Sequence, residues 1–483
     1  MTIDEILQLP DFKKAVDILT KDSKEDRNRE DYVKEYKGER TRRDKGVDRR
    51  EDKLIDVYSE TEVDENENPK KIGSKSIPVA KVKTNIPKRI VRIAAAFLFG
   101  GQMNINFADE NDAASFFEEI FDKSLKMKSV LNKFARTVMS ETKSALVFYP
   151  RPSEIDGEKR IDIKVKILTL ANGDFWPHFD DYGDMDAFIR KYRAVHADGQ
   201  ERDFLWIQTA TKEITYVDVS GEWVPVEGKT LTNLAGKITV VYAEQDDPEW
   251  EEIATAMDHY ENRLSRMVDT NDYFGDPILK NYGESSLPSK NTVGKQISYP
   301  IKVDELTGKE YHGDADYLVW QQSIDSIKLE LETLRNEIYS GSSTPDLSFE
   351  NMKSIGALSG TAIELMFIET YIKAAEKMEI FGPVVQRCVS VVKALISNVT
   401  DTKYKEGLKK AKPEVTFDSI LPDDLKEKIE MLVSANGGKA INSQETIVSN
   451  SPFTKNQMEE LARLKKEADE ESERSVATGF SLQ

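Results

Sequence analysis

The chain of 483 residues carries 68 Lys and Arg against 87 Asp and Glu, a net charge of −19. That balance excludes a free-standing binder of the phosphate backbone, whose affinity comes from displacing counterions with cations. Its 39% hydrophobic and 32% charged residues are lean for one compact core, yet 20 Phe, 17 Tyr and 5 Trp are too many for a disordered acidic tail, so a folded chain of several domains, elongated or ring-forming, is expected.

The single cysteine, Cys388, rules out an internal disulfide and any multi-thiolate metal site, and it suits a reducing compartment. The amino terminus lacks the basic-then-apolar layout of a signal peptide. The longest apolar run, Ile93 to Phe99, falls short of a bilayer's thickness, so neither secretion nor membrane insertion is expected.

Residues 1–20 read as a short amphipathic helix with Ile3, Ile6, Leu7, Val16 and Leu19 on its apolar face. Residues 21–53 interleave bases and acids. The pairs Arg42-Arg43 and Arg49-Arg50 suggest nucleic-acid contact, but the acids between them favour a solvated helix laced with i,i+4 pairs. Thr61 to Ser76 reads as a polar loop, and a helix follows from Pro87 to Phe99, stopped by Gly100-Gly101. A second helical stretch covers Asp112 to Glu141. Residues 144–243 then alternate with a period of two, as expected of a mixed α+β domain with a largely antiparallel sheet.

Asp247-Pro248-Glu249 places an acid, a proline and a second acid where a helix begins, and apolar residues from Trp250 to Val268 keep a 3–4 spacing as far as Phe274. Turn residues crowd 275–317 around short strands near 278–282, 296–303 and 315–319. A second long helix repeats its apolar positions at Trp320, Ile324, Ile327, Leu331, Leu334 and Ile338. Two long helices thus bracket a small β-rich tip. A loop over 348–360 precedes a third long helix, opened by the capping-box pattern Thr361-Ala-Ile-Glu364 and reaching Ser397, in which Gly382-Pro383 predicts a kink. Glu414 to Phe417 reads as a strand, and the remainder as helical, with a disordered end.

Motifs of catalysis are missing. Gly437-Gly438-Lys439 is no phosphate loop, and the chain has neither His-Glu-x-x-His nor Gly-x-Ser-x-Gly. No catalytic, cofactor or metal residue is assigned. The carboxylates of His178-Phe-Asp180-Asp181-Tyr-Gly-Asp184-Met-Asp186 have the density to hold Mg²⁺ or Ca²⁺, but a solvated turn between strands accounts for them without calcium-loop spacing. The bracketing helices are acidic: residues 249–274 hold seven acids against Arg263 and Arg266, and 321–340 hold four against Lys328 and Arg335. Packed round an axis, such acids would line a channel that repels phosphate; Glu252, Asp258, Glu261, Glu330 and Glu337 are the candidates.

The order of these elements resembles that of the portal proteins of tailed bacteriophages, the ring-shaped head-to-tail connectors. Four stretches carry the likeness: Asn85 to Gly101; Asp246-Asp-Pro-Glu-Trp250; Pro345-Asp-Leu-Ser-Phe-Glu350 with Ser359-Gly360-Thr-Ala362; and Lys439-Ala-Ile-Asn-Ser443-Gln-Glu-Thr446 with Pro452 beyond. Residues 21–53 have no counterpart in that pattern. The resemblance implies a multidomain, ring-forming α+β fold. Its parts are a wing (1–247, continued by the tunnel loop and kinked helix of 341–410), a stem (248–274 and 318–340), a clip (275–317) and a helical crown (411–483).

It further implies a non-enzymatic, dodecameric ring at one capsid vertex, assembled in the host cytoplasm, without cofactor or membrane. Through it the packaging ATPase, terminase, threads double-stranded DNA that passes non-specifically and is later ejected. Major capsid, scaffolding and head-completion adaptor proteins are the other implied partners. Asn351, Lys353 and Ser354 belong to the implied tunnel loop, and Gly382 with Pro383 to a hinge in the kinked helix. Two rivals from other classes are a metal-dependent nuclease built on 178–186 and a non-viral helical scaffold.

Overall fold

Alternating and helical stretches of the sequence separate into two antiparallel sheets and a layer of helices, with a helical hairpin built on them. The computed structural model describes residues 2–21, 28–64, 69–155, 158–196, 198–274, 279–282, 301–303, 308–311, 313–317, 324–348, 360–418, 420, 443, 448 and 460–468.

The first twenty residues form two helices, α1 (Ile3–Leu7) and α2 (Phe12–Leu19), where the sequence suggests one. Pro10 has no amide hydrogen to continue a helix, and Asp11 restarts it by accepting from Lys13 N. The expected apolar face survives the break, for Ile3, Ile6, Val16 and Leu19 are buried. Next come α3 (Arg29–Lys37) and a ribbon of β1 (Lys53–Val63) with β2 (Pro69–Ile77). The ribbon replaces the expected polar loop: its many polar residues are strand residues whose two faces are both exposed, so no alternation of burial marks them.

Helix α4 (Ile86–Phe99) begins with proline in its first turn and ends at Gly100, as expected. After β3 (Met103–Asn106), the predicted single helix over 112–141 divides into α5 (Asp112–Glu118), a π-helical turn and α6 (Met127–Glu141). The division falls where Lys126 takes a left-handed conformation, φ +52°, that no continuous helix contains.

Strands β4 (Lys143–Ile155) and β5 (Glu158–Leu168) pair as a long hairpin. Strands β6 (Asp174–Phe179), β7 (Met185–Val195), β8 (Glu201–Thr209), β9 (Lys212–Val219) and β10 (Glu222–Thr232) form an antiparallel meander of five strands. Strand β11 (Val240–Glu244) returns to the other edge of β4, giving the three-stranded order β11-β4-β5. Helices α1 and α2 cover the meander through Ile6, Val16, Ile189, Leu205 and Ile207. Phe175, Phe188, Leu168 and Val240 fill a separate core shared by the two sheets.

Helix α7 (Ala254–Phe274) starts later than Asp247 suggests, because residues 251–253 are turns before the regular helix. Beyond it, β12 (Leu279–Tyr282) pairs with β15 (Asp314–Tyr317), and β13 (Lys302–Val303) with β14 (Glu310–Tyr311). Helix α8 (Ile324–Gly341) then runs back along α7. The out-and-back hairpin with a β-rich tip is therefore present, although most of 275–323, Trp320 included, lies outside the described residues.

After α9 (Gly360–Met366) comes α10 (Ile368–Leu395), which continues through Pro383. Ile368–Thr400 is long and apolar enough to cross a membrane by composition alone. In this fold it is a core helix, burying Phe381, Val385, Cys388, Val392 and Leu395 among α4 and α6. A short α11 (Lys405–Ala411) leads to β16 (Glu414–Phe417), which pairs with β3 and sets Phe417 against Phe99 at 4.9 Å between ring centres.

By contacts the chain divides into two units, Met1–Ser348 with Phe367–Ile420, and Phe349–Met366 with Leu421–Gln483. The first holds both sheets and the hairpin. In the second, α9 and residues 460–468 are helical. Strand β16 belongs to the first unit, through its pairing with β3.

Candidate functional site

The functional candidates of the sequence concentrate on the helical hairpin, and its root is where the structure spends most of its buried charge. Glu261, Ser265 and Asp269 recur every fourth residue on α7 and so share one face. That face is covered by the segments 40–50 and 80–84. Arg40 and Glu261, both 0% exposed, form a forked pair at 3.1 and 3.2 Å. Arg40 donates two further hydrogens to the carbonyls of Glu35 and Thr84 at 2.6 and 2.8 Å, and Glu261 also accepts from Thr84 N and Oγ1, each at 2.6 Å. Burying two charges is tolerable only with this degree of satisfaction.

One turn further along α7, Ser265 accepts from Val82 N at 2.9 Å. Asp269 accepts from Arg50 and Ala80 N, each at 2.7 Å. Burial opposes ionisation of Asp269, but these donors hold its carboxyl below the ordinary range. Before the helix, Glu251 takes Arg42 in a two-pronged contact at 3.1 and 2.6 Å, and Arg43 at 2.6 Å. Gly46 makes the tight return of this collar possible, since a Cβ there would fall 2.1 Å from the carbonyl oxygen of Arg40.

The expected solvated helix over 21–53 is therefore corrected. Its helical part is α3, and the arginines that follow it are drawn inward by acids more than 200 residues away. Two proposed channel acids fall with it. Glu261 is sealed by Arg40, and Asp258 is 4% exposed, so neither presents its charge to a channel. Burial pushes the Asp258 carboxyl up to about 6; Arg43 opposes the shift, and Glu35 and Glu261 reinforce it. Asp258 Oδ1, Glu35 Oε1 and Arg43 Nε are buried without a hydrogen-bond partner. Glu252, Glu330 and Glu337 are exposed, with Glu330 joined to Arg263 at 2.8 Å.

A second junction fixes the other side of the root. Glu249, whose side chain is 3% exposed, binds Lys373 and Lys377 of α10 at 2.9 Å each. Burial alone would raise its carboxyl pKa, but the two ammonium groups hold it below the ordinary range. Lys373 also donates to the carbonyl of Ser342 at 2.7 Å, and Thr370 Oγ1 to that of Ser343 at 3.1 Å. Asp346 accepts from Arg89 of α4 at 3.0 Å and from Arg335 of α8 at 2.6 Å. Both guanidinium groups lie over the Tyr339 ring, at 5.0 and 6.0 Å. The entrance to α7, the exit from α8 and the start of α10 are thereby tied together just before Ser348.

Asn351, Lys353 and Ser354 lie outside the described residues, as do the side chains of the Thr361 and Glu364 capping pattern. Gly382 and Pro383 sit within an unbroken α10. A Cβ on Gly382 would meet Met378 at 3.8 Å, an ordinary contact, so space does not require glycine there. The acidic 178–186 cluster is the turn between β6 and β7. Asp180 accepts from Tyr182 N and Asp184 N at 2.9 Å each, and Asp186 pairs with His178 at 2.5 Å. Among the described residues no group of three or more His, Cys, Asp or Glu side chains is placed to hold a metal.

The buried pairs escaped the sequence reading because a charge announces no partner across 200 residues. The four-residue recurrence of Glu261, Ser265 and Asp269 was the available signal.

Residues 26–474 match a family model described as phage portal protein, SPP1 Gp6-like. Among solved structures the chain is similar to one in the neck of an empty GTA particle computed with C6 symmetry: 9% identity, 75% of this chain and 88% of that chain covered, TM-score 0.38. One in the virion of a native gene transfer agent particle gives 11% identity, the same 75% and 88% coverage, and a TM-score of 0.34. One in the neck of the native GTA particle computed with C12 symmetry gives 10%, again 75% and 88%, and 0.37. Structural likeness of this degree carries no argument about function. No curated protein matches.

Proposed function

The chain belongs to the SPP1 Gp6-like phage portal protein family, and from that premise we propose that it closes into a dodecameric ring at one capsid vertex. The ring is the channel through which terminase threads double-stranded DNA, and through which the DNA later leaves. Its role is structural, and the energy comes from the terminase. Major capsid and scaffolding proteins surround the ring during assembly in the host cytoplasm, and the head-completion adaptor replaces terminase in the virion.

In this reading residues 1–247 with 341–410 are the wing, 248–274 and 318–340, which contain α7 and α8, the stem, 275–317 the clip that terminase engages, and 411–483 the crown. The observation that carries the reading is the tied root. A helical hairpin whose entrance and exit are both clamped to the wing, by Glu249 with Lys373 and Lys377 and by Asp346 with Arg89 and Arg335, suits a conduit wall that must hold its shape beside moving DNA. The segment leaving that root at Ser348 is the tunnel loop, with Asn351, Lys353 and Ser354 facing DNA. Pro383 frees the Glu379 carbonyl from its helical bond, which suits Gly382-Pro383 to the bend through which loop motion reaches the wing.

Acid lining of the channel narrows to Glu252 and Glu337, since Glu330 is paired with Arg263. Most acids of residues 249–274 are neutralised within the chain, so the stem offers DNA a weakly charged wall. Native mass spectrometry tests the reading: particles of twelve 54.8-kDa chains are expected, and a species of one chain under all conditions overturns it. Deleting 275–317 is expected to abolish terminase capture while rings persist.

A further inference from the structure

The two sides of the stem hairpin differ in charge and in cover. On α8, Ile327 and Ile338 are buried, while the opposite face, Asp325, Leu329, Glu332 and Asn336 at spacings of 4, 3 and 4, is exposed, Leu329 at 65%. A single exposed leucine is ordinary; here it lies between two acids on the same outward face, so the three form one mixed acidic and apolar surface. On α7, a cleft of about 450 Å³ opens between the helix and residues 44–50. Its rim carries Lys45, Arg49, His259 and Arg266, all exposed, and Arg263 lines it with Nε buried and lacking a hydrogen-bond partner. Asp44 and Glu330 are its acids, so the lining is net cationic in a chain of charge −19.

From these faces we infer that the cationic cleft of one copy receives the acidic outer face of α8 from the next copy. The inference rests on the ring-forming reading and names the seam. DNA is the poorer occupant for the cleft, because Arg50 and Arg263 already spend charge on Asp269 and Glu330, and the opening is the size of a few side chains, not of a duplex. The acids of α8 supply carboxylates, and Leu329 supplies apolar area between them. The contact is heterologous, since the cleft of one copy meets a different surface, the α8 face, of the next, and a repeated heterologous contact closes into a ring when the rotation allows. Residues 44–50, part of the 21–53 segment without a counterpart in the portal pattern, become the docking half of the seam.

Charge reversal tests this. Lys45→Glu with Arg266→Glu places like charges across the seam, as does Asp325→Lys with Glu332→Lys, and each pair is expected to lower the ring fraction at least about tenfold by native mass spectrometry. All four substitutions in one chain restore opposite charges and are expected to restore rings. Mixing the two double variants is expected to give rings in which they alternate. Rings that persist in either double variant, or four-fold reversal that fails to restore them, overturn the seam and leave the portal reading standing. Unaltered protein found only as single 54.8-kDa chains overturns both.

Discussion

The two helices of the hairpin, α7 and α8, are alike in sequence, each amphipathic and each acidic, yet they treat charge in opposite ways. Helix α7 turns Glu261 and Asp269 inward, against arginines from a segment that precedes it by about 200 residues. Helix α8 leaves Asp325, Glu332 and Glu337 in solvent and buries only Ile327 and Ile338. Acid content therefore says little about the surface a helix presents. What decides is whether a cationic segment is held close enough to pay for burial.

The largest effect should come from breaking the α7 side alone. Arg40→Ala strands Glu261 in a dry site and is expected to cost about 3–5 kcal/mol in denaturant unfolding, whereas Arg40→Met with Glu261→Leu costs far less. Equal losses for the single and double changes would refute a buried pair.

Next is the junction at Glu249. Glu249→Ala leaves Lys373 and Lys377 without their carboxylate and is expected to cost about 2–3 kcal/mol near neutral pH. Because the folded-state pKa of Glu249 is depressed, its contribution is full above the ordinary carboxylate range and disappears as pH falls through the folded value. The variant and the parent should therefore converge in acid, and a constant gap would count against the ion pairs.

Asp258 sharpens the comparison with the opposite sign. Its carboxyl is raised to about 6, so the folded state holds the proton more tightly than the unfolded chain, and stability falls as pH rises from 3.8 through 6. Asp258→Asn is expected to stabilise by about 1–2 kcal/mol at pH 8, with the gain fading toward pH 4. A loss at pH 8 would show that Asp258 is paired.

The smallest effect belongs to α8. Glu337→Lys, on its exposed surface, should change the stability of the single chain by less than about 0.5 kcal/mol. Thermal unfolding that shifts as far as for Arg40→Ala would erase the distinction between the helices.

How much was legible follows from range. Helix α4, strands β4, β5, β7, β8, β9 and β11, the helical hairpin and β16 declare themselves through periodicity and punctuation within ten to twenty residues, whereas β6 and the largely exposed β10 do not. The β1–β2 ribbon did not, since neither of its faces is buried and its apolar residues, Leu54, Ile55, Tyr58, Val63 and Ile72 among them, stay exposed without a regular alternation. At the root, Pro248 and Gly341 mark where helices turn, but nothing near Lys373 or Asp346 names Glu249, Arg89 or Arg335 as partners.

The sequence by itself determined the order of the larger blocks, helices, sheet, hairpin and long helix, and with it the likeness to portal proteins, because hydrophobic period and turn chemistry are local properties of the chain. Only the tertiary structure decided which charges are surface. Whether Arg40 is a solvated cation or the buried counterion of Glu261 depends on two segments 221 residues apart meeting, and no local pattern encodes that meeting.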